Sequence, residues 1–273
     1  MKNKIKIQCP AKINLTLKIT GKRADGFHNI ESIMQTISLY DYLTITTTPA
    51  NATKITLSGT SEEIPYNEKN LVYKAAKLFL DTVNPTDCEI NIYIEKNIPV
   101  AAGLAGGSTD AAGTLYGLNK IFDEPLDKKE LHELCAKLGS DLNFCLEGGK
   151  QMTKGRGEIL ESMPFEEFSL SLIKPKNLGI SAKEAYTKFA EKEKVGRENF
   201  VNDLEWAIID DYAELQEIKR RYPKSIMSGS GSTYYILGKE FQPQEGFWVI
   251  NNLKSIPTGV VVNTCCESFE YML

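Results

Sequence analysis

The sequence predicts an α+β protein in two parts that share a cleft. Stretches of alternating apolar and polar residues, typical of strands with one buried face, are separated by segments whose apolar residues recur at helical spacing. The character of the chain changes after Gly148 and Gly149. A length of 273 residues is enough for two modest domains, and 42% hydrophobic with 25% charged residues is typical of a globular protein.

The first element is a long strand. Between residues 5 and 19 the odd positions are mostly apolar, which predicts one strand or a strand pair interrupted at Pro10. Lys12 and Asn14 fall on the opposite, polar face. From this pattern alone, an exposed strand lysine is the favoured interpretation of Lys12.

A polar loop follows the first strand, from Gly21 to His28. Two interpretations stay open: an ordinary turn, or a loop whose adjacent Phe27 and His28 face a ligand. Further strands are predicted at residues 33–39, 43–48 and 54–58. A helix is then predicted to open at Asn70, with its apolar face formed by Leu71, Ala75, Leu78 and Phe79.

The most informative stretch joins a strand to a helix through a glycine-rich loop, Pro-Val-Ala-Ala-Gly-Leu-Ala-Gly-Gly-Ser-Thr at residues 99–109. Ser108 or Thr109 is the predicted N-cap. Small side chains expose backbone N–H groups, and a helix N-terminus favours an anion such as a triphosphate. The loop lacks the signatures of a Walker A loop and of a dinucleotide fingerprint. A turn that only lets a helix pack close to a sheet is an equally good interpretation.

The next helix leads to a candidate catalytic carboxylate. Asp127 and Glu130 form a capping pattern, and Gly139 supplies the helix stop. Asp141 follows at once, and a carboxylate on a fixed backbone with restricted access to water suits a general base. Capping of the next element by Asp141 explains the sequence equally well.

A tight turn at residues 154–158 marks the predicted boundary between domains 1–157 and 158–273. Beyond it we predict a strand at 170–174, a helix opened by a capping box at 181–184 and a helical region from 202 to 221. A second glycine loop, Met-Ser-Gly-Ser-Gly-Ser-Thr at 227–233, precedes the apolar run 234–237. Two glycine loops and a poised aspartate together indicate a phosphate-handling site.

Composition excludes several classes of function. A net charge of −4 gives no reason to expect nucleic acid as a partner. The chain shows no apolar run of spanning length and no charged-then-apolar leader, so we expect a cytoplasmic protein that binds no membrane. No structural zinc site is expected, and magnesium brought with a nucleotide suits the chain better. The six cysteines are predicted to be reduced and mostly packed: Cys9, Cys88, Cys135, Cys145, Cys265 and Cys266.

Six pieces of the chain, in this order, carry a resemblance to a known family. They are Pro10-Ala11-Lys12-Ile13-Asn14-Leu15, Arg23-Ala24-Asp25-Gly26-Phe27-His28, residues 99–112, Gly139-Ser140-Asp141, Gly155-Arg156-Gly157-Glu158 and Met227-Ser228-Gly229-Ser230-Gly231. The sequence resembles the superfamily of galactokinase, homoserine kinase, mevalonate kinase and phosphomevalonate kinase. Within it, the pieces are most similar to the 4-diphosphocytidyl-2-C-methyl-D-erythritol kinase family.

The resemblance implies a fold and a reaction. The implied N-terminal domain is like domain 2 of ribosomal protein S5, and the implied C-terminal domain is ferredoxin-like, with the active site in the cleft between them. The implied reaction is ATP-dependent phosphorylation of the 2-hydroxyl of the cytidyl-linked methylerythritol. Asp141 would accept the hydroxyl proton, and Lys12 would keep Asp141 ionised and neutralise charge on the transferred phosphoryl group.

The resemblance also implies how the acceptor is held. Asn14 would lie near the erythritol hydroxyls, His28 would hydrogen-bond the cytosine edge, and Phe27 and Tyr186 would hold the cytosine ring between them. Phe27 stands where tyrosine is common in the family, which keeps the ring and removes one hydroxyl. Asn143 stands where the family usually has proline, which changes the rigidity of the Asp141 loop.

For ATP and magnesium, the resemblance implies a phosphate loop closed by the second glycine loop. Ser108 or Thr109 would approach the magnesium. The residues carried over to the ATP site are Asn70, Lys96, Pro99, Ala102, Gly103, Leu104, Ala105, Gly106, Gly107, Ser108, Thr109, Gly229, Ser230 and Gly231. A kinase of another small alcohol, such as homoserine or mevalonate, and a non-catalytic ATP-binding regulator are the alternatives. We expect a monomer or weak homodimer.

Overall fold

The computed structural model of the protein describes residues 3–263 and contains eleven strands and seven α-helices in that range. The strands are β1 (Lys4–Lys22), β2 (His28–Pro49), β3 (Lys54–Gly59), β4 (Cys88–Glu95), β5 (Lys150–Lys154), β6 (Ile159–Ser162), β7 (Ser169–Pro175), β8 (Ile226–Met227), β9 (Tyr234–Leu237), β10 (Phe247–Lys254) and β11 (Val261–Val262). The helices are α1 (Leu71–Val83), α2 (Gly106–Ile121), α3 (Lys128–Leu138), α4 (Leu142–Glu147), α5 (Ala182–Glu191), α6 (Asp203–Ile208) and α7 (Ala213–Arg221). This mixture confirms the predicted α+β class.

The strands form two sheets. The first runs β11-β1-β2-β4-β3, with β5 paired to β2 and β6 paired to β5. The second runs β10-β7-β9-β8. Although they follow residue 157, β6 and β11 belong to the first sheet. One core lies between the first sheet and α1 to α4, and another packs α5, α6 and α7 on the second sheet. A third core joins Ile13 and Ile37 of the first sheet to Leu172 and Tyr235 of the second.

The prediction of separate strands at 33–39 and 43–48 is wrong, because both lie in the single long strand β2. A register shift in the β1–β2 pair places Pro10 opposite Tyr40 and Ala11 opposite Ile37. Such a bulge bends a strand pair without ending it. The predicted long strand from residue 5 to residue 19 is confirmed as β1, with its irregularity at Pro10.

Two predicted helix features are wrong. The N-cap of α2 is Ala105, in the left-handed conformation with φ 59°, so Ser108 and Thr109 lie inside the first turn. The helical region 202–221 is broken at Tyr212, where an extended backbone with φ −129° and ψ 109° separates a short 3₁₀ turn from α7. The spacing of apolar residues predicts neither the start of α2 nor the break at Tyr212, because both depend on the path of the chain outside the helix.

Several local signals are confirmed. Asn70 caps α1 by accepting from the Val72 N–H at 2.9 Å. The capping box of Asp127 and Glu130 opens α3. Ser181 caps α5 through the Glu184 N–H, but only half of the predicted box forms, because the Glu184 carboxylate accepts from the Tyr212 hydroxyl.

The four cysteines of residues 3–263 are free and buried, as predicted: Cys9, Cys88, Cys135 and Cys145. The predictions for Cys265 and Cys266 lie outside the described residues. None of the helices in the described range is both long and apolar enough to cross a membrane.

Candidate active site

A cleft of about 1080 Å³ runs between the glycine loop, the β1–β2 hairpin, the Asp141 loop and α5. The structure brings almost all of the predicted site residues together here. Only Thr109 and Gly231 do not line the cleft. The Thr109 side chain is fully buried, and Gly231 packs against Met227.

The glycine loop meets the second glycine loop directly. The Ser228 hydroxyl donates to the Gly103 carbonyl oxygen at 2.9 Å, and the Thr233 N–H donates to the Ala102 carbonyl oxygen at 3.3 Å. Asn202 stabilises the second loop, because its side-chain amide donates to the carbonyl oxygens of Met227 and Gly229 at 2.8 Å. These contacts fix the two loops against each other across the cleft.

We expect Gly103→Ala to weaken this junction. Gly103 has φ +74°, and a Cβ there would overlap the Ser228 carbonyl oxygen. The strained conformation costs about 1–3 kcal/mol of the free energy of unfolding, and the displaced loops raise the KM for ATP. Denaturant titration and steady-state kinetics measure both effects. Gly21→Ala is the control, because a Cβ there meets nothing within 4 Å. Equal behaviour of the two variants would contradict the role of this contact.

The start of α2 presents unpaired backbone donors to the cleft. The first hydrogen bond inside the helix runs from the Thr109 N–H to the Ala105 carbonyl oxygen at 2.9 Å. The N–H groups of residues 106–108 come before this bond, at the positive end of the helix dipole. Gly107 and Ser108 line the cleft, so this end of the helix suits a phosphate group.

Lys12 lies at the centre of the site, and the prediction that it is an exposed strand lysine is wrong. Its side chain is only 4% exposed, and its backbone N–H donates to the Leu104 carbonyl oxygen at 3.1 Å. The glycine loop therefore covers the face of β1 that the alternation pattern assigns to water. The Lys12 ammonium donates to Asn14 Oδ1 at 2.6 Å and lies 3.7 Å from Asp141 Oδ2.

Asp141 occupies the N-cap position of α4, but its side chain makes no capping hydrogen bond. Its carboxylate is 30% exposed toward the cleft that it lines. Asn143, in the first turn of α4, donates to the Glu158 carbonyl oxygen at 3.1 Å, which ties the start of this helix to the turn between β5 and β6. A side-chain hydrogen bond thus restrains the position where the family usually has proline.

A buried ion cluster that the sequence did not reveal lies beneath the glycine loop. The Lys96 ammonium pairs with Asp41 and lies 3.1 Å from Asp110 Oδ2. Asp41 also accepts from the N–H groups of Asn97 and Ile98 at 2.6 and 2.8 Å. Burial lowers the pKa of Lys96, but Asp110 and Asp41 outweigh this effect and raise it, so the lysine stays charged. Lys96 lines the cleft as predicted, and its ammonium is paired with these carboxylates.

Aromatic rings of Phe27, His28 and Tyr186 also line the cleft. His28 stacks on Tyr186 with ring centroids 5.3 Å apart and an interplanar angle of 14°. The Phe27 ring is 50% exposed, and the Arg156 guanidinium lies over it at 5.0 Å. Burial and then the charge of Asp141 raise the pKa of Tyr186, so its hydroxyl stays protonated. The sequence motifs point to these rings but not to Arg156, which belongs to a turn motif.

His28 is expected to be neutral at pH 7. Burial and then the charges of Lys22 and Lys194 lower the pKa of His28 below its ordinary value of about 6.5. NMR titration measures this directly, since the chain has only two histidines and His28→Gln assigns the signals. Lys22→Gln should raise the His28 pKa. A value above about 6.5 in the unmodified protein would contradict this electrostatic account.

The fold and the site together define a small-molecule kinase of the class that takes its abbreviation, GHMP, from galactokinase, homoserine kinase, mevalonate kinase and phosphomevalonate kinase. In it a glycine loop opens a helix beside a lysine and an aspartate. Residues 70–149 match the family described as GHMP kinases N terminal domain. The 4-diphosphocytidyl-2-C-methyl-D-erythritol kinase of Clostridium tetani is 38% identical over 256 residues, covering 85% of this chain and 90% of that protein. The kinase of the same name from Macrococcus caseolyticus is 37% identical over 270 residues, covering 90% and 93%. The chain belongs to the 4-diphosphocytidyl-2-C-methyl-D-erythritol kinase family, which confirms the resemblance.

Solved structures agree with this assignment. A crystal structure of 4-(cytidine 5'-diphospho)-2C-methyl-D-erythritol kinase superposes with a TM-score of 0.70 at 27% identity, covering 92% of this chain and 99% of that chain. The homoserine kinase of Cytophaga hutchinsonii gives a TM-score of 0.73 at 16% identity, covering 96% and 98%. At that identity the second likeness shows the fold alone.

Proposed function

We propose that this protein transfers the γ-phosphoryl group of ATP to the 2-hydroxyl of 4-diphosphocytidyl-2-C-methyl-D-erythritol. The observation that carries the proposal is the pair of Lys12 Nζ and Asp141 Oδ2, 3.7 Å apart in the cleft. The glycine loop and the aromatic end, formed by Phe27, His28 and Tyr186, line the same cleft as this pair. The names and the high coverage of the family relatives support the choice of acceptor.

Asp141 acts on the acceptor hydroxyl. Phosphoryl transfer passes through a loose transition state, so the protein contributes alignment and electrostatic stabilisation. A carboxylate is a weak base, but it takes the proton late, when the oxygen has begun to bond to phosphorus. Asp141 also orients the hydroxyl by accepting its hydrogen bond.

Lys12 acts on the charge of the transferred group. Asn14 Oδ1 holds its ammonium, and Asn14 is itself fixed because its amide donates to the Ser32 hydroxyl at 2.8 Å. A buried ammonium held in place neutralises charge at the phosphoryl oxygens without reorganisation. Asn14 lies beside this ammonium, where it would meet the acceptor's other hydroxyls.

The triphosphate would lie along the glycine loop and the start of α2, with the base toward Asn70. Magnesium fits this arrangement, because Ser108 lines the cleft and its hydroxyl oxygen would help to hold the ion beside the phosphate oxygens, and magnesium prefers oxygen ligands. Within residues 3–263 there is no cluster of three acidic, histidine or cysteine side chains suited to hold a metal alone. When bound with ATP, magnesium supplies charge neutralisation at the β- and γ-phosphates.

The cytosine would meet the exposed Phe27 ring and the His28–Tyr186 stack. Stacking of a base on an aromatic ring is worth about 1–3 kcal/mol, enough to prefer a cytidyl-linked polyol over a bare one.

We further propose the division into domains 1–157 and 158–273, like ribosomal protein S5 domain 2 and ferredoxin respectively, with β6 and β11 of the second part completing the sheet of the first. We also propose a monomer or weak homodimer.

The test of this function is a panel of acceptors. The purified protein with Mg-ATP is mixed separately with the cytidyl-linked methylerythritol, the uncytidylated methylerythritol phosphate, homoserine and mevalonate, and ADP release is measured. We expect turnover with the cytidyl-linked acceptor alone. Turnover of another alcohol in its place would assign a different substrate within the superfamily. ATP binding without phosphorylation of any acceptor would favour a regulatory protein and would contradict the proposal.

A further inference from the structure

Asn202 lies at the start of α6, where its buried side chain holds the second glycine loop. The amide nitrogen donates to the carbonyl oxygens of Met227 and Gly229, both at 2.8 Å. The amide oxygen accepts from the Leu204 N–H at 2.9 Å and so caps the helix. A side-chain amide has two N–H donors, and Asn202 uses both of them on the loop.

The residues on either side of Asn202 are fixed to β1. The Leu17 N–H donates to the Val201 carbonyl oxygen at 3.1 Å, and the Ile19 N–H donates to Asp203 Oδ2 at 2.7 Å. The start of α6 is therefore fastened to the strand on one side and to the second glycine loop on the other. This segment sets the distance between the loop and β1.

Gly229, which Asn202 holds, packs on the ammonium of Lys12. Gly229 has φ +55°, and a Cβ there would lie 3.1 Å from Lys12 Nζ and 2.9 Å from the Gly103 carbonyl oxygen. The Lys12 side chain is only 4% exposed, although it borders the cleft. The backbone of the second glycine loop thus covers the ammonium and restricts its movement.

We infer that Asn202 is a positioning residue for the phosphoryl transfer, because it holds the second glycine loop against the ammonium of Lys12. The inference rests on the proposed function. Charges stabilise a transition state best when they are fixed before the reaction. A displacement of about 1 Å, caused far from the chemistry, lowers a rate by about 100-fold. Asn202 does not line the cleft, so it acts through Lys12 and touches neither ligand.

Capping of α6 is the purely structural role of Asn202, and two substitutions separate it from the positioning role. Asn202→Ser and Asn202→Asp both keep a good N-cap oxygen, and both lose the donors to Met227 and Gly229. Serine adds no charge and aspartate keeps the size of the side chain, so a shared effect belongs to the lost donors. Asn119→Asp is the matched control. Asn119 is also buried, its amide donates to the Leu126 carbonyl oxygen at 3.0 Å, and it does not line the cleft.

In steady state, we expect both Asn202 variants to lower kcat by about 10–100-fold and to change the KM for the acceptor little, because the lost interaction acts in the transition state. Circular dichroism confirms that each variant is folded at the assay temperature. Asn119→Asp should lose stability and keep kcat. Unchanged kcat in either Asn202 variant would overturn the inference, since capping alone would then explain the residue. An equal loss of kcat in Asn119→Asp would also overturn it.

A second readout needs no turnover. Acetic anhydride acylates accessible lysine amines, and peptide mass spectrometry gives the rate at each lysine. We expect Lys12 to react about 10-fold faster in both Asn202 variants than in the unsubstituted protein, because two hydrogen bonds that hold the loop closed are lost. Lys129, whose side chain is 84% exposed, is the internal reference and should react at the same rate in every variant.

An unchanged rate at Lys12 would overturn the inference. The proposed function fails separately, because the acylation rate does not depend on turnover. Faster acylation of Lys12 in the Asn202 variants of a protein that phosphorylates no acceptor supports the placement of the loop by Asn202 and contradicts the kinase assignment.

Discussion

Replacing Asp141 with asparagine is expected to reduce kcat by about 10²–10⁴-fold, the usual contribution of a positioned general base. The amide keeps the size of the side chain and its place at the start of α4, but it neither takes the hydroxyl proton nor pairs with Lys12 at 3.7 Å. The KM for ATP should change little, because the triphosphate binds along the separate glycine loop. Steady-state kinetics with the cytidyl-linked acceptor measures both constants.

Asp127→Asn is the matched control for this experiment. Asp127 caps α3, the helix that leads to the Asp141 loop, and asparagine caps helices as well as aspartate. The control should keep kcat near that of the unmodified protein. If Asp141→Asn retained more than about a tenth of kcat, Asp141 would not be the base, since even a modest general base contributes more than that.

Replacing Lys96 with methionine is expected to lower the free energy of unfolding by about 3–5 kcal/mol, because it leaves buried carboxylates without their cation. Asp41 is fully buried, Asp110 is 2% exposed, and Lys96 is the ammonium between them. The loss should also weaken ATP binding, since Gly106 at the start of α2 packs directly on the Lys96 side chain. Denaturant titration measures the loss in the free energy of unfolding. Steady-state kinetics measures the KM for ATP, which reports the weaker ATP binding.

The stability loss in Lys96→Met should depend on pH. Burial raises the pKa of Asp110 to about 8, against the opposing effect of the Lys96 ammonium beside it. A carboxyl whose pKa is raised in the folded state destabilises the protein increasingly as pH rises from the unfolded value of about 3.9 toward the folded value. Removal of the Lys96 ammonium, which lowers this pKa, raises it further, so the variant and the unmodified protein lose stability in parallel up to about pH 8 and differ more above it. The deficit of the variant should therefore be larger at pH 9 than at pH 6.

Lys77→Met, which breaks an exposed pair with Asp81 on α1, is the control and should leave stability unchanged at both pH values. A deficit in Lys96→Met as small as in this control would contradict the structural role of the buried cluster. A deficit that grew at low pH would contradict the assigned direction of the Asp110 pKa.

Local chemistry made much of the fold predictable. The strand β1, the caps of α1 and α3 and the two glycine loops each depend on neighbouring residues, whose types restrict the backbone directly. The break at Tyr212 and the joining of two predicted strands into β2 depend on partners elsewhere in the chain. A bulge opposite Pro10 keeps β2 continuous, and no periodic pattern in β2 itself indicates it.

The site residues also divide into those that the local sequence predicts and those that depend on distant parts of the chain. Alternation along β1 places Lys12 on a polar face, but the glycine loop, about ninety residues later, covers that face and buries the ammonium. The Lys96 cluster joins positions 55 and 14 residues apart, so composition and spacing give no sign of it. Asp141 and Lys12 were found through the resemblance of ordered motifs, since from the local pattern alone a cap and an exposed lysine explained them as well.

In the proposed reaction one acceptor spans the cleft from the aromatic end to the pair of Lys12 and Asp141. A crystal structure with a non-hydrolysable ATP analogue and the cytidyl-linked methylerythritol tests this arrangement most directly. We expect the triphosphate at residues 103–108, the cytosine at Phe27 and Tyr186, and the 2-hydroxyl oxygen about 2.6–3.2 Å from an Asp141 carboxylate oxygen. A cytosine bound away from these rings, or a different hydroxyl facing Asp141, would contradict it.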